Sequence, residues 1–375
     1  MKKLLALLVT GALAAGVLSG CGAGGGDDKV IKVAASATPH AEVLEQAKAI
    51  LSEQGYDLQK KSKELAVLLD EYIKHNFEPL TAKFLDCFLA YCEKISQMQE
   101  QGEKGAIAYL HFSVLKTNIL LKKHEIRMDA YDENWYLDSV ECSGSYPVEE
   151  FYSYLECYGD IVEDLRRKSG GMVSLTETQR RVFEESNLYL FYIAEMIRVG
   201  MRKAVREEAY QKVLRAPCFT VCIGGFLDRF DILYKEDRTQ KDSAEVKRYL
   251  QSGNKKVFRY EICENLDLSE GNYEGLEFQY ASFAGCDFTK SSWEKSKLVF
   301  GNFQNTVFTD AKMEKTKIFD TDFSGAKLER VSFAGAKLKY ISFANATLCR
   351  VDFSKALLAE EIDFKGARMI ECRLP

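Results

Sequence analysis

The strongest pattern in the chain is a large apolar residue at every fifth position through its C-terminal third. The series begins at Leu268 and continues without a break to Leu358, which makes nineteen consecutive positions. Two residues before most of these positions stands a small residue, such as Ala281, Ser291 or Ala326. Neither an α-helix, with 3.6 residues per turn, nor a strand, with a period of two, produces this spacing. We therefore predict that the chain turns a corner every five residues.

Four such sides would make one coil of a β-solenoid, with the large residues in its centre and the small ones near its corners. Stacked coils pair their strand edges at about 4.8 Å, so each coil gains stability from its neighbours. We predict this solenoid over residues 263–375, with a length of roughly 25 Å. One residue is inserted after Leu358, because the series resumes at Phe364. The predicted central residues are Phe283, Phe288, Phe303, Phe308, Phe323, Leu328, Phe333, Leu338, Phe343, Leu348, Phe353 and Leu358.

The five-residue units follow a recognisable consensus, roughly A(D/N)LXX. Good examples are Ala326-Lys327-Leu328 and Ala336-Lys337-Leu338. The C-terminal part therefore resembles the pentapeptide-repeat family, which implies a right-handed quadrilateral β-helix that displays a surface to other proteins. Some members of that family mimic DNA with an acidic face and bind type II topoisomerases. Residues 266–375 carry 16 acidic and 15 basic side chains, so the sequence does not indicate such a face.

The beginning of the chain has the pattern of a secretion signal. A basic start at Lys2 and Lys3 precedes the uncharged apolar run 4–18, which is short for a membrane span but typical of a signal. The run ends in Leu-Ser-Gly-Cys at residues 18–21, which resembles the lipobox of bacterial lipoproteins. The resemblance implies cleavage before Cys21 and acylation of its thiol, and buried acyl chains contribute about 0.8 kcal/mol per CH₂. We predict a signal peptide over residues 1–20 and a flexible tether over 21–29.

Residues 30–60 begin a fold that the following sequence does not continue. The apolar run 30–35 predicts a buried strand, and 41–53 predicts a helix. The sequence from Lys32 to Leu58 is similar to the mature N-terminus of the D-methionine-binding lipoproteins of the NlpA family, which serve ABC importers. The lobes that hold the ligand in that family do not follow here, so no substrate-binding residue is assigned and a small-molecule ligand is not expected. The abrupt change near residue 60 indicates a chimera.

The middle of the chain predicts a helical domain over residues 61–235, followed by a linker over 236–262. Apolar residues at helical spacing predict several amphipathic helices, including one over 107–121. Residues 125–140 lose this period and fit a strand or a loop equally well. A capping box at Ser174 begins a helix that would run almost to Pro217. No known family is recognised in this domain.

Composition and charge exclude several functional classes. With 51 basic and 56 acidic residues the net charge is −5, which indicates neither a nucleic-acid-binding protein nor an acidic DNA mimic. The 375 residues include only four histidines and contain no Walker, Rossmann, HExxH or GxSxG motif. We therefore expect a protein without catalytic residues, cofactor or metal.

The cysteines and the signal disagree about location. Ten cysteines besides Cys21 have no disulfide-framework spacing, which is typical of a reducing compartment, whereas the signal predicts export. Either the protein is a lipoprotein from an environment in which exported thiols survive, or its N-terminus comes from a different protein. Cys286 and Cys372 fall at small-residue positions of the repeat and are expected to be protected.

As it stands, the sequence predicts a non-enzymatic interaction protein on the extracytoplasmic face of the cell membrane. It would be anchored through lipidated Cys21 and bind an unknown protein partner, without nucleic acid. One alternative is a methionine-importer binding lipoprotein, to which only the N-terminus points. Another, if the N-terminus is a fusion artefact, is a cytoplasmic topoisomerase-binding DNA mimic.

Overall fold

The computed structural model describes residues 58–374, and the chain divides into two compact units between Tyr234 and Lys235. Outside the described residues lie Cys21, the predicted signal peptide, the predicted tether and residues 30–57 of the predicted βα fragment. Within residues 58–374, no helix combines the length and the apolar character needed to cross a membrane.

Within residues 58–234 the first unit contains five helices. Ser174 caps the fourth, and its hydroxyl accepts a hydrogen bond from the Glu177 amide at 3.2 Å, which confirms the capping box. That helix ends at Ala204, well before Pro217, which lies in a strand. The helices are α1 (Leu58–Glu100), α2 (Lys116–Leu120), α3 (Glu149–Lys168), α4 (Leu175–Ala204) and α5 (Glu208–Lys212).

A five-stranded sheet completes this unit, and the sequence does not predict it. The strands are β1 (Ile107–Val114), β2 (Glu125–Tyr131), β3 (Ser143–Pro147), β4 (Arg215–Gly225) and β5 (Phe230–Asp237). Their order is β3-β2-β1-β4-β5, with β1 antiparallel to β2 and parallel to β4. The helix predicted over 107–121 is wrong for residues 107–114, which form β1, a strand buried on both faces, and only Lys116–Leu120 is helical. The nearly continuous apolar run of β1 satisfies a helical spacing as well as a strand.

Aromatic packing between helix α1 and the sheet forms the centre of the first unit. Phe84 and Phe88 of α1 lie with their ring centroids 6.2 and 6.3 Å from that of Phe112 in β1. Helix α4 crosses α1 at Gly200, where an added Cβ would lie only 2.1 Å from the Phe84 ring. A glycine is therefore required for this close approach of the two helices.

The second unit is a solenoid preceded by helix α6 (Ser243–Gln251). Its strands are β6 (Val257–Arg259), β7 (Glu277–Gln279), β8 (Lys297–Val299), β9 (Val307–Thr309), β10 (Lys317–Phe319), β11 (Lys327–Glu329), β12 (Lys337–Ser342), β13 (Thr347–Cys349), β14 (Leu358–Asp363) and β15 (Arg368–Ile370). They form two parallel sheets, of order β14-β12-β10-β8-β7-β6 and β15-β13-β11-β9.

The register of these strands fixes the shape of each coil. Lys317 pairs with Lys297 on one side and with Lys337 on the other, so one coil contains twenty residues and four five-residue sides. This confirms the predicted quadrilateral β-solenoid. The structure begins the coils at β6, within the stretch for which the sequence predicts a linker, because Phe258 is already fully buried at a central position. The solenoid therefore has about six coils.

Large side chains fill the centre of the solenoid and stack on their equivalents in the next coil. Phe323 and Phe343 have centroids 5.3 Å apart, and Phe333 and Phe353 are 4.9 Å apart with nearly parallel rings. Leu328 and Leu348 pair in register between these phenylalanine ladders. The structure places each of the predicted central residues from Phe283 to Phe353 out of contact with solvent.

Leu358 departs from the predicted series. It is only half-buried, and it pairs with Lys337, while Ala359 pairs with the central residue Leu338. Ser332 and Asp352 still pair at twenty residues, so the extra residue lies before Leu358 and not after it. The prediction for Leu358 is therefore wrong, because the inserted residue shifts the centre of this side to Ala359.

Except for the side centred on Phe353, each side of the described coils ends on a residue with left-handed backbone conformation, two positions after the central residue. In one column of corners this residue alternates between asparagine and glycine, as in Asn305 (φ 56°) and Gly325 (φ 70°). A Cβ on Gly325 would lie 2.3 Å from the Asn305 side-chain oxygen, so the asparagine occupies the space that glycine leaves open. The same relation joins Asn265 to Gly285 and Asn345 to Gly366.

Cysteine labelling tests this register. Cys286 is fully buried, its thiol donates to the Cys263 carbonyl at 2.8 Å, and burial raises its pKa to about 12. Cys372 is only half-buried in the last coil, so the complete protection expected from the sequence does not extend to it. With a maleimide at pH 8 and readout by peptide mass spectrometry, exposed Cys157 and Cys218 should react first and Cys286 only after unfolding. Fast reaction of Cys286 in the folded protein would contradict the register.

Candidate functional site

The outer faces of the solenoid are formed by the residues that flank each central position. Within the described coils, aromatic side chains flank the centre on a single face, the one built by β6, β7, β8, β10, β12 and β14. We call this the aromatic face, and its aromatic residues are Tyr260, Tyr280, Phe300, Phe319 and Tyr340. The flanking residues of the other three faces are small, polar or aliphatic. The aromatic face is therefore the most suitable for burial against a partner.

The rings at the corner of the aromatic face stack on one another. The centroids of Tyr260 and Tyr280 are 4.9 Å apart, and those of Tyr280 and Phe300 are 4.8 Å apart, with interplanar angles of 6° and 7°. Because each ring covers the next, this column presents ring edges more than ring faces. The stack of rings ends at Asp320, and the next residue at this position, one coil further on, is Tyr340.

A group of lysines lies along the same face and at the corner that precedes each of its strands, opposite the corner of stacked rings. We call Lys295, Lys297, Lys315, Lys317 and Lys337 the lysine ridge. Two of them form ion pairs at 2.8 Å, Lys295 with Glu274 and Lys297 with Glu277. The other three are exposed and make no ion pair within the described part of the chain. This ridge is the most concentrated basic feature of the solenoid.

Charges on another corner of the solenoid compensate one another. Arg330 donates two hydrogen bonds to Asp310 of the preceding coil, at 2.6 and 2.8 Å, and these hold the pKa of Asp310 below its usual range. In the same column, Arg350 donates to Glu371 at 2.8 Å. Such a column does not provide the continuous acidic surface that a DNA mimic would need.

The first unit contains a cleft of about 200 Å³ between α2 and α3. Its charged groups pair with one another, because Lys122 contacts Glu156 at 2.5 Å and Asp160 at 3.3 Å, and His124 lies 3.2 Å from Glu156. Among residues 58–374, no group of three His, Cys, Asp or Glu side chains is arranged to hold a metal ion. The cleft is a candidate ligand site, but the side chains that line it show no arrangement that would activate a nucleophile or a general base.

A buried histidine that sequence reasoning missed lies on β1. His111 is inaccessible to solvent, its Nδ1 lies 3.1 Å from the Tyr136 hydroxyl, and its Nε2 has no hydrogen-bond partner. The rings of Trp135 and Phe230 pack around it at about 6 Å. Burial lowers the pKa of His111 to about 4, so the imidazole is neutral at physiological pH. A single histidine in an apolar strand carries no spacing signal, which is why the sequence did not identify it.

Cys222 of β4 is the register neighbour of His111, but the two do not form a reactive pair. Its thiol is fully buried and donates to the Leu110 carbonyl at 3.8 Å, and burial raises its pKa to about 12. Nucleophilic cysteines need a depressed pKa, so this arrangement keeps both groups neutral. Cys218, which the sequence places one helical turn from Cys222, lies on the same strand and is exposed.

Coils of twenty residues with five-residue sides define the class of the second unit as a quadrilateral β-solenoid. Comparison with protein families then identifies the repeat, because residues 326–360 match the model described as pentapeptide repeats in eight copies.

Two solved structures are similar to part of this chain. Full-length QnrB1, a plasmid-mediated fluoroquinolone resistance protein, is 16% identical, with a TM-score of 0.22, over 31% of this chain and 62% of its own. A pentapeptide repeat protein of the Arabidopsis thaliana thylakoid lumen is 15% identical, with a TM-score of 0.25, over 29% of this chain and 72% of its own. The assignment of the fold depends on the strand register and not on these matches.

A short part of the chain is similar to a protein that is not among the pentapeptide-repeat matches. It is 42% identical over 110 residues to the methionine-binding lipoprotein MetQ of Bacillus subtilis (strain 168). The match covers 28% of this chain, which is a longer stretch than Lys32 to Leu58, where the sequence shows the resemblance. It covers 36% of MetQ, so the chain spans about a third of that relative. The presence of two unrelated resemblances in one chain supports the hypothesis of a chimera.

The environment of His111 predicts a pH-dependent stability. Folding lowers the pKa of His111 from the ordinary 6.5 to about 4. Between these two pH values the imidazole is therefore protonated in the unfolded chain and neutral in the folded protein. The free energy of unfolding should therefore decrease as the pH falls from about 6.5 to 4, by on the order of 2 kcal/mol from this group. In urea titrations at pH 7 and 4.5, His111→Gln should remove this contribution to the pH dependence of the free energy of unfolding. His75→Gln, at an exposed position of α1, should leave it in place. Equal pH dependence in the parent and His111→Gln would contradict this assignment.

Proposed function

We propose that the protein is a membrane-anchored, non-enzymatic interaction protein that presents its solenoid to a protein partner. The observation that carries this proposal is the filled centre of the coils, which leaves flat outer faces and no central pocket among the described residues. Catalysis requires convergent polar groups around a cavity, whereas flat faces with side chains in register can be covered by another protein. The pentapeptide-repeat fold supports a non-enzymatic, protein-interaction role.

Anchoring to the membrane is the second part of the proposal. The basic start, the apolar run and the lipobox ending in Cys21 occur in the order that a lipoprotein signal requires. The similarity to a bacterial lipoprotein supports the same interpretation. The mature protein would then begin at acylated Cys21 and lie on the extracytoplasmic face of the cell membrane.

Fractionation of the native host tests the anchor. The parent protein should be recovered from membranes with an intact mass that begins at Cys21 and includes attached acyl chains. Cys21→Ser should move the protein out of the membrane fraction or leave it with an uncleaved signal. Cys157→Ser, a change of the same kind at an exposed cysteine, should leave the distribution unchanged. A soluble parent protein that lacks the first 60 residues or so would overturn the anchor and favour a cytoplasmic repeat protein.

A second candidate function follows from the name of the relative MetQ. Binding of methionine by this chain would require a ligand pocket equivalent to that of a whole binding protein, but the match covers only 36% of that relative. Isothermal titration of the full chain with D- and L-methionine should therefore show no binding up to millimolar concentrations. A micromolar Kd for either enantiomer would replace the interaction function by a transport function.

A further inference from the structure

We propose that the lysine ridge binds an acidic segment of the protein partner. This inference rests on the interaction function proposed above and specifies which surface is used and what chemistry the partner brings. The ridge lies on the aromatic face and at the corner that precedes its strands, so a partner that covers the whole face meets both the lysines and the aromatic residues.

Three lysines of the ridge are stacked directly on one another. Lys297, Lys317 and Lys337 occupy the same position of β8, β10 and β12, and the register pairs each with the next. Strands pair at about 4.8 Å, and like charges directly opposite one another across strands are destabilising. Glu277 compensates the charge of Lys297 at one end of the stack, at 2.8 Å. No acidic side chain within residues 58–374 pairs with Lys317 or Lys337, so the fold keeps an unfavourable stack there.

A second column runs beside the first, two residues earlier in each coil. Lys295 and Lys297 flank the buried Ser296, and Lys315 and Lys317 flank the buried Thr316, so each corner holds two outward-facing lysines. In the next coil this column continues with Gly335, where an added Cβ would lie 3.1 Å from the Cγ atom of Lys315. The aliphatic stem of Lys315 therefore lies against Gly335, on the side of the coil that carries Lys337.

Lys315, Lys317 and Lys337 thus form a compact group of exposed ammonium groups, and a set of carboxylates would complement it. Bringing carboxylates to this group would also relieve the repulsion within the stack. Charge complementarity of this kind contributes to the rate and specificity of association between proteins.

The neighbouring aromatic residues favour a protein over a nucleic acid. Proteins that bind single strands stack bases on open aromatic faces. Here Tyr280 and Phe300 cover each other at 4.8 Å, so this column offers edges and not open faces. Phe319 and Tyr340 lie beside the lysines and are only partly buried, which is the mixed aromatic and basic composition typical of protein interfaces.

Charge reversal of the group, measured with a defined acidic probe, tests the proposal. The probe is a fluorescent peptide of ten glutamates, and its binding to the full chain is followed by anisotropy at 20 and 150 mM salt. Changing Lys315, Lys317 and Lys337 together to Glu should weaken binding at least tenfold. The matched control changes Lys290, Lys327 and Lys365 to Glu, which alters the net charge equally on other faces and should weaken binding less than twofold.

Neutralising one lysine distinguishes an effect on binding from an effect on folding. Lys317→Gln removes one charge from the middle of the stack, so its thermal unfolding midpoint should equal or exceed that of the parent while its affinity for the peptide falls. A lowered midpoint together with unchanged affinity would overturn the proposal.

Other results would also overturn it. These are an equal loss of affinity in the two triple variants, no binding by the parent, or tighter binding to a 20-nucleotide oligo-dT or to phosphatidylglycerol vesicles than to the peptide. None of them would refute the proposed function itself. That function would fail separately if photo-crosslinkers placed on each of the four solenoid faces captured no protein in the native host.

Discussion

Backbone hydrogen bonds between successive coils fix the twenty-residue register on which the solenoid depends. The amide of Phe303 donates to the Asp322 carbonyl at 2.7 Å, and the amide of Phe323 donates to the Ser342 carbonyl at the same distance. Each bond joins residues about twenty apart, so every side chain lies above its equivalent in the next coil. The phenylalanine ladders, the arginine–aspartate pairs and the lysine ridge all follow from this register.

Equivalent residues of successive coils lie in columns, and the effect of this stacking differs between interior and exterior residues. Inside, equivalent residues gain from being alike, because phenylalanines stack and leucines fill the same volume. Outside, equal charges in one column repel, and in the column that contains Asp310 each arginine is compensated by a carboxylate, Arg330 by Asp310 and Arg350 by Glu371. In the column of Lys297, Lys317 and Lys337 only Lys297 has such a carboxylate among the described residues, and this contrast within one solenoid is the reason for proposing that the column binds an acidic partner.

The sequence predicts the solenoid well because its period excludes every other regular structure, and burial enforces that period at each central position. It does not locate the inserted residue, since Leu358 and Ala359 are both apolar and only the strand register distinguishes them. The five-stranded sheet is missed for a different reason, because a strand buried on both faces lacks the alternation that identifies strands. The aromatic face and the lysine ridge are visible only after residues twenty apart are brought together. His111 has no signal in the sequence at all.

The backbone of the solenoid repeats with every coil, but the asparagine and glycine corners repeat only with every second coil. Removing a single coil would place Asn305 directly against Asn345, and the Cβ of the second would meet the side-chain oxygen of the first at about the 2.3 Å found for a Cβ on Gly325. Removing two coils would instead bring Asn305 against Gly366 and preserve the fit. Solenoids of this type would therefore change length during evolution by duplication or deletion of forty residues more readily than of twenty.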